Sequence, residues 1–387
     1  MLKSRAIVAL TLIMAGSLFI GCAWFGHRAQ PAWVEGNSKD FPVDQYLLGV
    51  GQADSRPSAE ERAYGAVSRI FKANVEAESK DWESFLVLEA KGKANTERRL
   101  TLDQVTRVST DKMLESVSIL DAWVHPKTGQ HHVLAGMRRA QAGTALSERM
   151  AELDRTIEAD MVESRQTTET LSAIRSLRRA IKNLVLREAY NADLRVIRTN
   201  GQGTPSPYRV SELTGALEQF MAAHLLVGVE VLGDQIEPVR RAVIEGLLRE
   251  GLPVTAKPAG PEEPAAGRDG GKLLELLVKG TVRLFDVDVH DPRFRYVRWC
   301  SDFVVVEPGT QRVVGAVSRG GREGHLTHDE AMAKAVRVMQ QEVSSELAKT
   351  LAGYVYGDTD GPANLPPAAC PQGARGDDAP AVRKPPL

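Results

Sequence analysis

The chain has 387 residues, which is enough for two or three domains of ordinary size. Its 49 lysines and arginines nearly balance its 50 acidic residues, so it carries no strongly basic field of the kind that attracts nucleic acid. Outside residues 6–20 no apolar run approaches the roughly 20 residues that a membrane span requires, so we expect a soluble body.

The N-terminal segment has the parts of a secretory signal. A basic start precedes the almost wholly apolar residues 6–20, and the small residue Gly21 stands directly before Cys22. Residues 19–22 resemble the lipobox of bacterial lipoproteins, although two positions depart from its usual Leu and small residue. The resemblance implies lipidation of Cys22. An ordinary cleaved signal peptide and an uncleaved anchor are the alternatives.

Lipidation would hold the chain at a membrane and divide its N-terminal region into a signal peptide and a spacer. Residues 1–21 are then a signal peptide, and residues 22–30 link the anchored Cys22 to the first folded module. Several acyl chains at one point hold a protein durably on a membrane, whereas a single chain does not. Ala23 follows the cysteine where Asp would retain the protein at the inner membrane, so the resemblance implies the outer membrane.

Residues 31–140 predict a small α+β module. Its first strand is residues 46–51, followed by a helix with Ser58 as N-cap and a face of small residues suited to close packing on a sheet. The later elements, in order, are strand material at 75–87, a polar helix at 99–109, and a closing hairpin of strands 114–124 and 131–137 around a Pro-Lys-Thr-Gly turn.

Residues 141–200 carry two helical stripes separated by a wholly polar stretch, residues 163–169. The pattern predicts either one long helix or a helical hairpin. Charged residues around both stripes are typical of a stalk or an oligomer seam, and equally of a helical layer that packs on its own domain.

Residues 208–356 predict a second α+β domain, and residues 357–387 a disordered tail rich in Pro and Gly. In the strand that begins at Leu274, the apolar positions change parity at Phe285, which predicts a bulge or turn there. Thr327 is expected to cap the last helix. Cys300 and Cys370 could form a disulfide or remain free or mixed thiols, so their state is left open.

The order of motifs from residue 31 to about residue 192 resembles the Lpp-twenty lipoprotein family, whose flagellar relatives include FlgP and the N-terminal part of FlgT. The motifs are Pro-Ala-Trp at 31–33, Tyr-Leu-Leu-Gly-Val-Gly at 46–51, the alanine-rich helix and the closing hairpin. The family implies envelope lipoproteins with structural or assembly roles and offers no catalytic residues. The C-terminal half faintly resembles the TolB N-terminal and FlgT middle-domain type, an analogy of fold alone.

Few patterns suggest chemistry. Gly49 and Gly51 fit a strand end better than a phosphate loop, because the third glycine is missing. Asp286, Asp288 and His290 share one strand face and could bind a divalent metal, but a solvated sheet edge is the simpler interpretation.

Two histidine pairs and one arginine cluster are also considered. His325 and His328 lie near a helix start without the following Glu of the zinc-protease pattern, and His131 and His132 point to opposite strand faces. The arginine cluster could meet anionic lipid or glycan, although a solvated helix face is the ordinary explanation. Its members are Arg175, Arg178, Arg179, Lys182 and Arg187.

The sequence leaves three hypotheses for the function of the protein. We expect a non-enzymatic, lipid-anchored periplasmic protein of the outer membrane that supports an envelope assembly, with the flagellar apparatus as one candidate and homo-oligomerisation as another expectation. No cofactor, metal or nucleic acid is expected. The alternative is a regulator of a peptidoglycan synthase through the C-terminal domain. A hydrolase or metal protein using Asp286, Asp288, His325 and His328 ranks last, because no nucleophile, base and oxyanion donor come together.

Overall fold

The structure is a computed structural model that describes residues 29–36, 38–78, 82, 95–255, 268–269, 272–287, 293–360 and 365–370. The predicted signal peptide and the lipidation site Cys22 lie outside these residues. The chain forms two compact units, and its elements are of the α+β class that the sequence predicted. The N-terminal unit comprises Met1–Val75, Arg107–Ser147 and Asn191–Gly203, and the C-terminal unit comprises Glu76–Thr106, Glu148–Tyr190 and Thr204–Leu387.

The N-terminal unit is built on a three-stranded antiparallel sheet of order β1-β3-β2. A short 3₁₀ turn precedes it, and its tip, as predicted, is a hairpin closed around Gly129 in the left-handed conformation. The elements are the 3₁₀ turn Ala32–Glu35, β1 Tyr46–Ala53, α1 Arg56–Glu78, α2 Asn95–Leu114, β2 Ser118–Val124 and β3 His131–Arg138.

Helix α1 packs against β1 so closely that the strand has no room for side chains at its glycines. A Cβ atom on Gly51 would lie 2.0 Å from the carbonyl oxygen of Ala59, and one on Gly49 would lie 2.7 Å from that of Ala63. Ala59 and Ala63 are fully buried on the facing side of the helix. The two glycines are therefore packing residues inside a strand, and not the strand end that the sequence predicted.

Two predictions about α1 are wrong. The N-cap is Ser55, whose hydroxyl accepts a hydrogen bond from the amide of Ser58, so the helix begins three residues earlier than predicted. Pro57 is compatible with this start because the first turn needs no internal amide partner. The helix then continues to Glu78, so the predicted strand from residue 75 is absent from residues 75–78. Most of the remainder of that segment lies outside the described residues.

The other face of the sheet covers an indole cluster. Trp33, Trp123 and Leu134 are buried together, and the indole nitrogen of Trp33 donates to Asp121 at 2.8 Å. A buried indole N–H needs such a partner, because leaving it unpaired would cost its desolvation energy. The Pro-Ala-Trp motif thus fixes the entry of the chain to the hairpin.

The region of helical stripes is a hairpin of two helices, α3 Arg139–Gln166 and α4 Thr170–Ile197. The break falls in the polar stretch that the sequence singled out. Ion pairs between Asp160 and Arg179 and between Asp154 and Arg187 show that the helices run antiparallel. Of the two predicted alternatives, one long helix is therefore wrong.

The C-terminal unit contains a mixed four-stranded sheet of order β4-β7-β8-β9, in which β4 and β7 are parallel and the other pairs antiparallel. Two helices, α6 and α7, cover one face. The elements are α5 Val210–His224, β4 Val227–Gly233, α6 Ile236–Arg249, the two-residue strands β5 Arg268–Asp269 and β6 Lys272–Leu273, β7 Leu276–Val287, β8 Arg295–Glu307, β9 Arg312–His325 and α7 His328–Val355.

The predicted bulge near Phe285 is wrong. Strand β7 pairs with β8 in one unbroken register from Leu277 to Val287. Beyond Val282 it has passed the end of its other neighbour, β4, and its side chains are half-buried or exposed on both faces. A change in apolar parity therefore needs no slip of the strand.

The ends of the helices follow the sequence. Thr327 caps α7 by accepting from the amide of Glu330, and Gly251 follows α6 in the left-handed conformation. Within the described part of the chain, none of the helices combines the length and apolarity needed to cross a bilayer.

Candidate functional site

The structure brings together two motifs that are 42 residues apart in sequence. Asp286 near the end of β7 lies 2.7 Å from Nε2 of His328, the first residue of α7. This hydrogen bond raises the pKa of His328. Asp288 and His290 lie outside the described residues, so their part in this contact is not defined.

The neighbouring His325 pairs with Glu330 at 2.6 Å rather than with His328. Among the described residues no group of three or more His, Cys, Asp and Glu side chains is placed to hold a metal ion. Asp286 is 75% exposed in its side chain and His328 47%. The two form a surface ion pair, an arrangement whose usual consequence is local and small.

The arginine cluster of α4 is a structural junction, and both earlier interpretations of it are wrong for its inner members. Arg175 and Arg178 donate to the carbonyl oxygens of Tyr354 and Tyr356 at 2.7 and 2.8 Å. Each guanidinium also lies over the ring of the same tyrosine, at 4.7 and 4.8 Å from its centroid. Cations at the C-terminal carbonyls of α7 complement its dipole. Residues 170–190 of α4 therefore pack within the C-terminal unit, as the second alternative predicted.

Arg187 is more deeply buried than Arg175 and Arg178. It is fully buried and pairs with Asp154 and Glu188, and its remaining donors reach the carbonyl oxygens of Thr204 and Pro205. A buried guanidinium is tolerated only when its donors are satisfied in this way. This residue therefore orders the chain that leaves the helical hairpin and does not face solvent.

A cavity of about 880 Å³ opens beside the junction. It is lined by the first turn of α4, Arg175, the residues before β7, the β8–β9 turn and Tyr354. Thr170 donates to Glu275 across it at 2.9 Å. The lining offers hydroxyls and charges of both signs beside apolar side chains.

One wall of the cavity is formed by three hydrogen-bonded side chains, Glu307, Tyr354 and Arg312. The Tyr354 hydroxyl donates to Glu307 at 2.5 Å and accepts from Arg312 at 2.5 Å. Burial and the bond to Glu307 raise the pKa of Tyr354, so it stays protonated. Burial opposes ionisation of Glu307, but hydrogen bonds from Tyr354, Thr310 and Arg312 outweigh it and lower the pKa of that carboxyl. These three side chains thus fix the β8–β9 turn to α7, and none of them is an activated nucleophile.

The sequence left the state of Cys300 and Cys370 open, and in the structure they form a disulfide. Cys300 of β8 is bonded to Cys370, and the amides of Ala369 and Cys370 both donate to Asp302. The predicted disorder of the tail is therefore wrong for residues 365–370, because this stretch is fastened to the sheet. Proline and glycine content alone does not reveal such a covalent attachment.

Sequence reasoning also missed a buried acid in the N-terminal unit. Asp193 of α4 is fully buried and accepts a hydrogen bond from Ser109 of α2 through Oδ2, whereas its Oδ1 atom has no hydrogen-bond partner among the described residues. Burial raises the pKa of Asp193 to about 7, although the Ser109 bond opposes the shift. A lone Asp in an amphipathic stripe gives no signal that separates it from a surface residue.

Several solved structures align with the chain at low similarity. The secreted protein HP1454 of Helicobacter pylori is 14% identical, with 79% of this chain and 98% of that one aligned at a TM-score of 0.33. A minor lipoprotein of Acinetobacter baumannii is 8% identical over 35% and 92% of the two chains at 0.23, and lipoprotein GNA1162 of Neisseria meningitidis 13% identical over 32% and 99% at 0.20. Scores this low carry no argument about function.

The comparison of sequences is more informative for the N-terminal half. None of the curated proteins matches the chain. Residues 31–138, from the Pro-Ala-Trp motif to the end of β3, match the family model of the LPP20 lipoproteins. The resemblance predicted from the sequence is confirmed over residues 31–138, where the chain is similar to the LPP20 lipoproteins.

Proposed function

We propose that the protein is a lipoprotein of the bacterial cell envelope, anchored through lipidated Cys22 with its body in the periplasm. The similarity of residues 31–138 to the LPP20 lipoproteins supports the assignment to envelope lipoproteins at the coarse level. The anchor, the outer membrane as its location and the role of the body are the finer parts of the proposal.

The observation that carries the proposal is the pairing of the cysteines. Of the three cysteines in the chain, Cys300 and Cys370 form a disulfide, which is typical of an oxidising compartment outside the cytosol. Cys22 is left over. An odd cysteine in an exported protein calls for an explanation other than a disulfide within the chain. A thioether linkage to lipid, behind an apolar signal segment, provides one.

We further propose that the body has a structural or assembly role and is not an enzyme. Support comes from the family, whose resemblance implies such roles, and from the side chains of the C-terminal unit, whose charges are used to join α4, α7 and the β8–β9 turn. The flagellar apparatus is the candidate assembly, because the resembled family has flagellar members. Self-association is part of this proposal.

Crosslinking in cells, followed by affinity capture and mass spectrometry, tests the role. The proposal expects outer-membrane assembly components, flagellar ones among them, and expects Cys22→Ser to lose them. A strictly monomeric body without envelope partners would contradict it. Capture of peptidoglycan synthases through the C-terminal unit would replace it by the regulator alternative.

A further inference from the structure

Three strands of the C-terminal sheet project beyond the fourth. Strand β4 pairs with β7 as far as Val282, whereas the pairing of β7 with β8 continues to Val287 opposite Tyr296. Strand β9 follows β8 to the same end. We call this extension the distal ribbon and define it as residues 283–287, 295–300 and 320–325.

The two faces of the distal ribbon differ in their partners. On the face toward α7, the adjoining charged residues are paired: Asp286 with His328, Glu323 with Lys334, and Arg319 with Glu346. The register places a different set on the opposite face, which we call the open face. Its side chains are Arg283, Phe285, Val287, Tyr296, Arg298, Arg322 and Cys300, the last of which is bonded to Cys370.

The arginines of the open face have no counter-charge among the residues that the structure describes. Arg298 and Arg322 stand directly opposite each other across β8 and β9, and both are exposed. Like charges in this position destabilise a sheet. The nearest acidic side chain of that face, Asp302, is occupied by the amides of residues 369 and 370. An unfavourable pair with no compensating charge among the described residues points to an anionic partner.

Aromatic and aliphatic side chains accompany this charge. The guanidinium of Arg322 lies 5.4 Å from the ring centroid of Tyr296, and the ring of Phe294 lies 6.4 Å from Tyr296. Phe294 is 37% exposed, and Leu326, directly after β9, is 65% exposed. Arginine with tyrosine and exposed apolar side chains at one edge is the combination suited to the boundary between lipid headgroups and acyl chains.

We propose that the open face of the distal ribbon docks on the anionic phosphate headgroups of a lipid bilayer. The guanidinium groups meet the phosphates, and Phe294 and Leu326 enter the headgroup boundary. This contact is independent of Cys22 and goes beyond the proposed function, because it would orient the C-terminal unit on a membrane surface as well as tether the chain. Each arginine near an anionic surface strengthens binding about fivefold.

Hydrogen exchange read by mass spectrometry tests the proposal on the full-length protein. The probes are vesicles of phosphatidylcholine alone and vesicles in which part of it is replaced by phosphatidylglycerol. The test variant is Arg298→Gln with Arg322→Gln. The control is Arg319→Gln, which removes one positive charge from strand β9 but from the other face.

We expect anionic vesicles, but not neutral ones, to slow exchange in peptides of the distal ribbon in the wild type and in Arg319→Gln. The double variant should bind through this face roughly 25-fold more weakly, since two fivefold contributions are lost. Added salt should weaken the effect. Removing the like-charge pair should not hinder folding, and retention of the Cys300–Cys370 disulfide checks this.

Equal slowing by neutral vesicles, or unchanged slowing in the double variant, would overturn the proposal. So would slowing by a soluble polyanion such as dextran sulfate to the same degree, because the partner would then be an anionic polymer and not a bilayer. Failure of lipidation at Cys22 would appear separately, as missing acyl mass, and would leave the difference between the two vesicle types intact.

Discussion

Arg178 and Tyr356 meet twice: Nη1 of the arginine donates to the tyrosine carbonyl at 2.8 Å, and the guanidinium lies 4.8 Å from the centre of the tyrosine ring. The arginine side chain is only 8% exposed. A nearly dry cation thus stabilises the C-terminal end of α7 from a neighbouring helix.

Arg178→Ala should destabilise the C-terminal unit by about 3 kcal/mol, because a hydrogen bond to a charged group and a desolvated cation–π contact are lost together. Lys182→Ala is the control, since that side chain is 44% exposed and its partner Asp358 is 49% exposed. It should cost less than about 1 kcal/mol. Urea denaturation followed by circular dichroism gives both values, and equal losses would contradict the junction.

Gly51→Ala should destabilise the N-terminal unit by more than about 3 kcal/mol. The new methyl group would lie 2.0 Å from the carbonyl oxygen of Ala59, so α1 would have to move from the sheet. Gly215→Ala provides the comparison, because nothing lies within 4 Å of its added Cβ in helix α5. It should leave stability unchanged or raise it by up to about 1 kcal/mol. Thermal unfolding of both variants checks the contrast.

Asp193 should make the stability of the N-terminal unit depend on pH. Its pKa rises from 3.8 to about 7 on folding, mainly through burial, so the folded state favours the protonated form. The contribution is fully present below pH 3.8 and is lost as the pH rises to about 7. About three pH units at 1.36 kcal/mol each give a span of about 4 kcal/mol.

Asp193→Asn should remove this dependence and be more stable than the wild type at pH 8. Ser109→Ala should extend the loss to higher pH, because the bond from Ser109 favours the ionised form. Unfolding free energies of the three proteins from pH 4 to pH 8 measure the effect. Parallel curves for wild type and Asp193→Asn would show that the carboxyl is not buried.

Cys370→Ser should lower the unfolding free energy of the C-terminal unit by about 4 kcal/mol, the entropy expected for a cross-link across 70 residues. Reducing agent should lower the wild type by the same amount and leave the variant unchanged. Cys22→Ser should have no effect on the stability of the body. Two free thiols in the native exported protein would contradict the disulfide.

The pKa of His328 should lie above its ordinary value because of the hydrogen bond to Asp286. Its contribution to stability is present below the unfolded pKa of 6.5 and is lost as the pH rises through the folded value. Asp286→Asn should lower the measured pKa, which nuclear magnetic resonance of the imidazole protons reports. An unchanged titration would show that the pair is not formed in solution.

The sequence was sufficient where local pattern and packing agree. Small residues in α1 pointed to close packing on the sheet, and the polar stretch between α3 and α4 marked the break of the hairpin. The cap at Thr327 followed from its neighbour at the capping-box position. These features depend on a few residues near each other in the chain.

The candidate site needed tertiary information. Nothing local tells that Arg178 and Arg187 are buried, because a buried arginine has the same helical spacing as a solvated one. The contact of Asp286 with His328 and the bond of Cys300 to Cys370 join positions far apart in the chain. The change of apolar parity at Phe285 wrongly predicted a bulge. It arises because β4 ends at the level of Val282, so β7 is no longer buried between two strands beyond that point.

The central claim is that an exported body is anchored through Cys22, and the intact mass of the protein purified from membranes tests it most directly. The account predicts a chain that begins at Cys22, carries acyl groups on that residue and lacks the two hydrogens lost in the Cys300–Cys370 bond. A chain that retains residues 1–21, or one cleaved elsewhere with an unmodified Cys22, would contradict it.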